Sequence, residues 1–316
     1  MKRKSIYIIM VHFDTTLVQQ MGGGGVLFNC FLSNFLCPNK TTHIGKIGSL
    51  LNKKVLDQRD LCCACLVVST EQHAMSTPPP IKVAILTTSA TTFGKNKKGP
   101  TGVWLEELAT PYYALKSARC AIDVYSIDGG PIPIDEASRG EGFYTEDCER
   151  FDGDDEAQSL LKKSKPLKEL DVDAYDGIFL PGGHGCCSDF HGNDHLAKTI
   201  EAFLSTKKAV ALDCHAPIAL LSCKKADGTT PLVRGMRVTG FSDEEEKQVG
   251  MHEDVPTLIE KEMVAQGGEY SKAETAWGAH AVLDGTLVTG QNPASSKLCV
   301  EKFLELLAIK MTQVNE

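Results

Sequence analysis

A short apolar run that ends on a cysteine constrains the fold of this chain more than any other feature. Residues Ala209–Leu212 are all apolar, and Asp213-Cys214-His215-Ala216-Pro217-Ile218 follows directly. A buried strand that turns abruptly into a helix at a cysteine forms a nucleophile elbow. The turn lifts the thiol out of the sheet, and the N-terminus of the next helix lowers its pKa. The pattern predicts a cysteine-dependent α/β enzyme, with His215 beside the thiol as a base and a second backbone donor.

Strand-like and helical patterns alternate from about residue 82 to residue 313. This alternation indicates a mostly parallel sheet whose functional residues collect beyond the carboxyl ends of the strands. We predict a three-layer α/β sandwich with helices on both faces. Predicted strands span 81–86, 121–127, 177–180, 209–212, 236–240 and 281–289, and predicted helices span 104–117, 195–205, 217–223, 257–266 and 296–310. The polar stretch 139–165 does not fit the alternation and is interpreted as a surface insertion or a lid.

The first eighty residues show no sustained periodicity and include four consecutive glycines at 22–25. We predict a poorly ordered N-terminal extension over residues 1–80 and an α/β domain over residues 81–316. The basic start of the chain is compatible with organelle targeting by residues 1–74, but this is the disfavoured interpretation. We favour an authentic start at Met75, because a proline-rich segment and the first predicted strand follow it at once.

Composition excludes several classes of partner. The net charge is −8, whereas nucleic acids and anionic membranes bind basic surfaces. No apolar run of about eighteen residues occurs, so no transmembrane helix is predicted. The twelve cysteines lie mostly in apolar contexts, which is typical of reduced thiols in a cytoplasmic protein. His184, His191 and His195 are spaced like ligands, but no second cluster accompanies them, and we predict no metal and no other cofactor.

Two further segments carry candidate site residues. Leu180-Pro181-Gly182-Gly183-His184-Gly185 follows a predicted strand, and its glycines allow the N–H of Gly183 to act as an oxyanion donor. A simple tight turn is the alternative interpretation. Glu107 lies on the same helical face as Trp104 and Leu108, where a carboxylate must be protonated or hydrogen-bonded. It is therefore a candidate partner of the thiol, whereas Glu106 is predicted to be solvated.

An acidic run and a polar turn contain the remaining candidate site residues. The acids of Gly240-Phe241-Ser242-Asp243-Glu244-Glu245-Glu246 mostly indicate a solvated loop, but one of them can orient His215 as the third member of a triad. The segment Thr289-Gly290-Gln291-Asn292-Pro293 at the last strand end is interpreted as a turn and helix cap. A structural role is favoured there over a pocket-lining role.

These residues together resemble the ThiJ/PfpI superfamily, which is class I glutamine amidotransferase-like and flavodoxin-like in fold, and within it the heat-shock glyoxalase III branch. By that resemblance Cys214 is the nucleophile, His215 the catalytic histidine and Glu246 the acid of the triad, with Glu245 as a substitute for Glu246. The resemblance also implies that Glu107 hydrogen-bonds the cysteine. One departure is Ala216, where many relatives have glycine. The matching segments are Thr101-Gly102-Val103-Trp104 with Glu107, Asp128-Gly129-Gly130, Pro181-Gly182-Gly183-His184-Gly185, Cys214-His215, Gly240-Phe241, Asp284-Gly285 and Thr289-Gly290-Gln291-Asn292-Pro293.

The resemblance implies a glutathione-independent glyoxalase (D-lactate dehydratase) that converts methylglyoxal, a small 2-oxoaldehyde, to lactate through a hemithioacetal on Cys214. The N–H groups of Gly183 and His215 would hold the enediolate, and either His215 or Glu107 would move the proton. No metal, glutathione or nucleotide is implied, and a cytoplasmic homodimer is expected. The alternatives are a deglycase or cysteine peptidase of the same superfamily and a stress chaperone that does not need the cysteine.

Overall fold

The structure is a computed structural model that describes residues 7–9, 66–68, 80–94 and 99–314. The chain divides into two compact units, Met1–Pro78 and Pro79–Glu316. In the first unit, β1 (Tyr7–Ile9) pairs antiparallel with β2 (Leu66–Val68). The poorly ordered extension was predicted for residues 1–80, and apart from these two strands and residue 80 those positions lie outside the described residues. It therefore stays a prediction.

The second unit is built on a seven-stranded sheet, which confirms the predicted α/β fold. The strand order is β10-β11-β7-β6-β3-β4-β5, and every neighbouring pair is parallel except β10 with β11. The carboxyl ends of the central strands therefore meet at one edge, where a site is expected. The strands are β3 (Lys82–Thr87), β4 (Ala121–Ser126), β5 (Lys165–Pro166), β6 (Gly177–Leu180), β7 (Ala209–Leu212), β10 (Ala281–Asp284) and β11 (Leu287–Gly290).

Helices cover both faces of the sheet, as predicted. Alternate residues of β3 point to opposite faces, so Val83 and Ile85 join one core cluster while Ala84 and Leu86 join the other. The first cluster is covered by α1 (Leu105–Ser117), α2 (Glu146–Gly153), α3 (Asp155–Lys162) and α8 (Ser296–Val314). The second is covered by α4 (Cys186–Asp189), α5 (Asp194–Ser205), α7 (Ile259–Ala265) and a 3₁₀ segment, Ala216–Ser222. In the part of the chain that the structure describes, no helix has the length and apolarity needed to cross a membrane.

Three element predictions were wrong in detail. The strand expected over 281–289 is a hairpin, because Gly285 adopts φ +59° and reverses the chain between β10 and β11. The strand expected over 236–240 shrinks to β8 (Arg237–Val238), which pairs with β9 (Glu269–Tyr270) in a separate two-stranded sheet. The helix expected over 217–223, after the elbow, is the 3₁₀ segment. The helix expected over 257–266 is confirmed as α7, with slightly shorter bounds.

The stretch 139–165 is not a loose lid. It forms α2 and α3, whose buried Cys148, Phe151 and Leu161 pack in the same core cluster as α1. Thr145 caps α2 by accepting from Cys148 N–H, and Asp154 caps α3. Glu106, which the sequence predicts to be solvated, is half-buried instead and hydrogen-bonds the hydroxyls of Thr110 and Thr145. The helical residues of this stretch therefore belong to the core of the domain.

Candidate active site

The elbow stands at the carboxyl end of β7, between β6 and β11. Cys214 adopts φ +57°, a left-handed conformation that a non-glycine residue holds only when its surroundings stabilise it. Its N–H donates to the carbonyl of Gly290 at 3.0 Å and to Oδ1 of Asp213 at 3.0 Å. The turn closes through Ala216 N–H, which donates to the Asp213 carbonyl. The strained turn places the thiol and the neighbouring imidazole on the same side of the chain, within hydrogen-bond reach of each other.

A continuous series of hydrogen bonds runs from the thiol to a carboxylate. The Cys214 Sγ lies 3.2 Å from Nδ1 of His215, and Nε2 of His215 lies 2.9 Å from Oε2 of Glu246. Despite burial, the neighbouring His215 and the hydrogen bonds from two imidazoles lower the pKa of Glu246 to about 2. An ionised Glu246 only accepts, so His215 carries its proton on Nε2 and presents the Nδ1 lone pair to the thiol. Of Glu245 and Glu246, it is Glu246 that meets His215.

His184 also belongs to this site, although its spacing in the sequence indicated only a potential metal ligand. Its Nε2 lies 2.8 Å from Oε1 of Glu246, and its ring lies 4.0 Å from the ring of His215, centroid to centroid. Burial first, and then the nearby His184, lower the pKa of His215. The position of His184 directly after Pro181-Gly182-Gly183 at the end of β6 is the sequence signal that could have identified it. His191 and His195, by contrast, lie exposed on the surface.

The ligand atoms of His184, His215 and Glu246 lie within 4.8 Å of one another, so this trio has the donor types of a metal site. Both carboxylate oxygens already accept from imidazole Nε2 atoms, at 2.8 and 2.9 Å. A hydrogen-bonded relay accounts for the arrangement without an ion. Within the described residues, no other group of three or more potential ligands converges in this way.

The thiol itself differs from its sequence-based prediction. Cys214 is only 3% exposed, and no α-helix begins at the elbow to stabilise a thiolate. Burial, and then the neighbouring carboxyl groups of Glu107 and Asp213, raise the pKa of Cys214 well above its usual range. The prediction that the elbow lowers the pKa of the Cys214 thiol was therefore wrong. The resting group is a buried thiol, and it needs a base to give up its proton.

Glu107 reaches the elbow from the first turn of α1. It is fully buried, its Oε2 accepts from Gly182 N–H at 2.7 Å, and its carboxyl interacts with the Cys214 thiol. Burial, and then the neighbouring Asp213, raise the pKa of Glu107 well above its usual range. Oε1 is buried without an acceptor or donor partner in conventional geometry. A proton on this carboxyl near pH 7 is the state that such burial favours.

The backbone beside the thiol is tightly packed around Gly182 and Gly183. A Cβ at Gly182 would lie 2.7 Å from the N atom of His215, and one at Gly183 would lie 2.4 Å from the carbonyl oxygen of Gly102. Gly183 has φ +109°, so only glycine fits there without strain. The N–H groups of Gly183 and His215 donate to no other described residue. They are the two backbone donors that the sequence predicts for an oxyanion.

Glu245 makes structural hydrogen bonds and is not part of the hydrogen-bonded series that joins Cys214, His215 and Glu246. It is fully buried and accepts from the Trp277 N–H and from the side chains of Gln291 and Asn292, at 2.7 to 2.9 Å. It also closes a capping box with Ser242 at the start of α6 (Asp243–Gln248). Gln291 and Asn292 thus hold α6, and through it Glu246, in position. This is the structural role favoured for them in the sequence.

Aromatic rings surround the His215 side of the site. Phe241 lies 4.2 Å from the ring of His215, and Trp277 lies 5.7 Å from Phe241, centroid to centroid. Phe143, from the loop before α2, lies 5.9 Å from Trp277 and 5.1 Å from Trp104. Trp277 adopts φ +67°, a left-handed conformation that its N–H bond to Glu245 helps to hold. Phe143 is thus the contribution of the stretch 139–165 to this group of aromatic rings.

The family model described as the DJ-1/PfpI family matches residues 101–306, about two thirds of the chain. The chain belongs to the DJ-1/PfpI family. The match spans the segments that carry Glu107, Gly183, Cys214, His215 and Glu246, and it confirms the resemblance to ThiJ/PfpI proteins.

Several DJ-1/PfpI relatives carry glyoxalase names. Glyoxalase 3 of Candida albicans is 30% identical over 224 residues, which cover 68% of this chain and 94% of the relative. The probable glutathione-independent glyoxalase hsp3103 of Schizosaccharomyces pombe is 28% identical, over 66% of this chain and 90% of the relative. The crystal structure of glyoxalase III from Candida albicans aligns with a TM-score of 0.64 and 25% identity, over 72% of this chain and 97% of that one.

Proposed function

We propose that this protein is a glutathione-independent glyoxalase that converts methylglyoxal to lactate. The observation that carries the proposal is the hydrogen-bonded series from the Cys214 thiol through His215 to Glu246. A thiol beside an oriented base is the arrangement needed for nucleophilic attack on a carbonyl carbon. The glyoxalase names of relatives that cover about two thirds of the chain support the choice of a 2-oxoaldehyde as substrate.

The first step makes the nucleophile only when substrate is present. His215 Nδ1, 3.2 Å from the sulfur, takes the thiol proton while Sγ bonds to the aldehyde carbon of methylglyoxal. Glu246 stabilises the imidazolium that forms, because its carboxylate accepts from Nε2. The aldehyde oxygen carries the negative charge beside the N–H groups of Gly183 and His215 and then takes the proton back. The result is a neutral hemithioacetal and a neutral His215.

The second stage is an internal oxidation and reduction of the bound carbons. His215 removes the hydrogen on C1, and the electron pair moves into an enediolate spanning C1 and C2. The imidazolium returns the proton to C2, and the hydroxyl proton passes from the C1 oxygen to the C2 oxygen. This leaves a thioester of 2-hydroxypropanoate on Cys214. Water hydrolyses the thioester, which releases lactate and restores the thiol.

We assign the proton transfers to His215 and not to Glu107. Burial and His184 lower the pKa of His215, so its imidazole is neutral and basic near pH 7. Burial raises the pKa of Glu107, so its carboxyl holds a proton and is a poor base. A protonated Glu107 is instead a hydrogen-bond donor to the sulfur, where it stabilises negative charge as the thiol proton leaves.

The test is turnover of methylglyoxal without glutathione, with lactate as the measured product, for the wild type, Cys214→Ser and Cys223→Ser. We expect Cys214→Ser to lose activity by at least about a thousandfold with its melting temperature unchanged. Cys223→Ser is the matched control, since this second buried thiol bonds only to the carbonyls of Ala197 and Ala219. Full activity in Cys214→Ser would overturn the proposal. Suppression of protein aggregation that survives Cys214→Ser would instead indicate a chaperone.

Finer assignments follow from the same proposal. The net reaction adds one water molecule to methylglyoxal, which is the reverse of the dehydration catalysed by a D-lactate dehydratase. Assignment to that enzyme class requires the product to be D-lactate, so the stereochemistry of the lactate is the test. A homodimer in the cytoplasm is expected from the resemblance. Sedimentation of the purified chain and localisation of the tagged protein test these two points.

A further inference from the structure

Asp213 is a buried carboxyl at the elbow to which the proposed reaction assigns no role. It lies between Leu212, the last residue of β7, and the candidate nucleophile, and it is 0% exposed. Its Oδ1 accepts the N–H of Cys214 at 3.0 Å. A Cβ at Gly290 would lie 2.1 Å from the same oxygen, so β11 carries a glycine where the Asp213 carboxyl needs the space.

The second oxygen of Asp213 is the unusual one. Oδ2 is buried without a hydrogen-bond partner in conventional geometry. The nearby Ser296 hydroxyl hydrogen-bonds the Pro293 carbonyl, and its interaction with Asp213 lowers the pKa of that carboxyl by less than burial raises it. A buried, unpaired carboxylate oxygen is costly, and protonation relieves the cost. The geometry therefore favours a proton on Asp213 that it can lose and regain.

The groups that face Asp213 are mostly acids and thiols. Glu106 and Glu107 approach from α1, Cys299 approaches from α8, and Cys214 is its chain neighbour. Burial, opposed by the hydrogen bonds of Ser296 and Cys214, raises the pKa of Asp213 to about 7. When Asp213 ionises, its charge disfavours ionisation of both Glu107 and the Cys214 thiol.

We propose that Asp213 is a positioning residue that acts on Cys214 in two ways: its Oδ1 holds the left-handed backbone of the elbow, and the negative charge that it gains as pH rises keeps Glu107 and the thiol protonated before substrate binds. The first action places the sulfur. The second suppresses a standing thiolate as pH rises, so that the sulfur ionises only when His215 takes its proton during attack. The inference rests on the proposal that Cys214 is the nucleophile.

Asp213→Asn separates the two actions, because the amide oxygen still accepts the Cys214 N–H while the charge is gone. The measurement is the rate of Cys214 alkylation by iodoacetamide across pH, followed by mass spectrometry of the Cys214 peptide. Below about pH 6 Asp213 is protonated in the wild type, and the two proteins should react alike. At about pH 8.5 we expect Asp213→Asn to react roughly tenfold faster, because only the wild type carries the opposing charge.

Asp189→Asn is the matched control. Asp189 is a half-buried carboxyl that also accepts a backbone N–H, from Ser89 at 2.7 Å, and burial raises its pKa to about 6. It is not among the main groups that raise the pKa of Cys214. We expect its alkylation curve to overlay that of the wild type.

The positioning action is tested with Asp213→Ala and methylglyoxal kinetics. Loss of the Oδ1 acceptor should lower kcat by about tenfold relative to Asp213→Asn, with KM changed less than twofold. An Asp213→Asn alkylation curve that matches the wild type at every pH, or an equal shift in Asp189→Asn, would overturn the charge action. Equal kcat in Asp213→Ala and Asp213→Asn would overturn the backbone action. Alkylation needs no substrate, so failure of the glyoxalase proposal shows separately, as absent turnover with the alkylation shift intact.

Discussion

The rings of His184 and His215 lie with their centroids 4.0 Å apart. Each donates its Nε2 hydrogen to a different oxygen of Glu246, at 2.8 and 2.9 Å. One carboxylate thus orients two imidazoles, of which only His215 reaches the thiol. The second imidazole raises the effective positive charge beside His215, and this keeps His215 neutral to lower pH.

We expect His184→Asn to move the acidic limb of the activity profile. The nearby His184 is the second cause, after burial, that lowers the pKa of His215. Its removal raises that pKa, and because proton transfer needs neutral His215, activity should be lost at higher pH than in the wild type. The measurement is kcat/KM for methylglyoxal against pH. The exposed His191, replaced by Asn, is the control and should leave the profile in place. An acidic limb that stays fixed in His184→Asn contradicts the assignment of His215 as base.

Glu246→Gln should lower kcat by about 10²–10⁴ with little change in KM. The amide places an N–H donor against an imidazole that is itself a donor, so His215 loses either its tautomer or its orientation. Steady-state kinetics measure the effect. Glu244→Gln on the same helix is the control, because Glu244 is exposed. A loss of less than tenfold would place Glu246 outside the relay.

Glu107→Gln should flatten the pH dependence of stability. Burial raises the folded-state pKa of Glu107, so the native state binds a proton that the unfolded chain releases above about pH 4. Wild-type stability therefore falls as pH rises from about 4 through the raised pKa, and the uncharged amide removes that contribution. Urea unfolding at about pH 5 and about pH 8 measures it, with the exposed Glu253→Gln as control. If the free energy of unfolding changes equally between these two pH values in Glu107→Gln and in the wild type, Glu107 is not protonated in the folded protein.

Glu245→Ala should cost about 3 kcal/mol or more of the free energy of unfolding. The change leaves buried donors of Trp277, Gln291 and Asn292 without their acceptor. We expect activity to fall too, since α6 carries Glu246. Chemical denaturation monitored by tryptophan fluorescence measures the loss, and Glu244→Ala should change it by less than about 0.5 kcal/mol. A stable Glu245→Ala would mean that Glu245 does not hold the helix.

Local patterns were sufficient for much of the site. The apolar run before Cys214, the glycines before His184 and the apolar helix face that carries Glu107 each depend on residues close in sequence. Parallel strands bring their carboxyl ends to one edge, so these segments were expected to meet. The choice of Glu246 over Glu245 depended on the resemblance. The acidic run alone left both open, because each of the two acids occupies a helical position whose partner lies elsewhere in the chain.

Tertiary structure decided the rest. The close contact of His184 with His215 and the hydrogen bonds to Glu245 from Trp277, Gln291 and Asn292 join segments that lie far apart in sequence. The direction of the Cys214 pKa shift also depends on tertiary structure. Desolvation is set by how many atoms from other segments of the chain exclude water from the thiol, and a local sequence pattern does not show this. From the sequence by itself came the sheet, the elbow and the candidate residues Cys214, His215 and Glu107, because each of these predictions depends on residues that are neighbours in the chain. The tertiary packing determined the protonation states of these residues, because the pKa of a buried group depends on its desolvation and on the charges and hydrogen bonds around it.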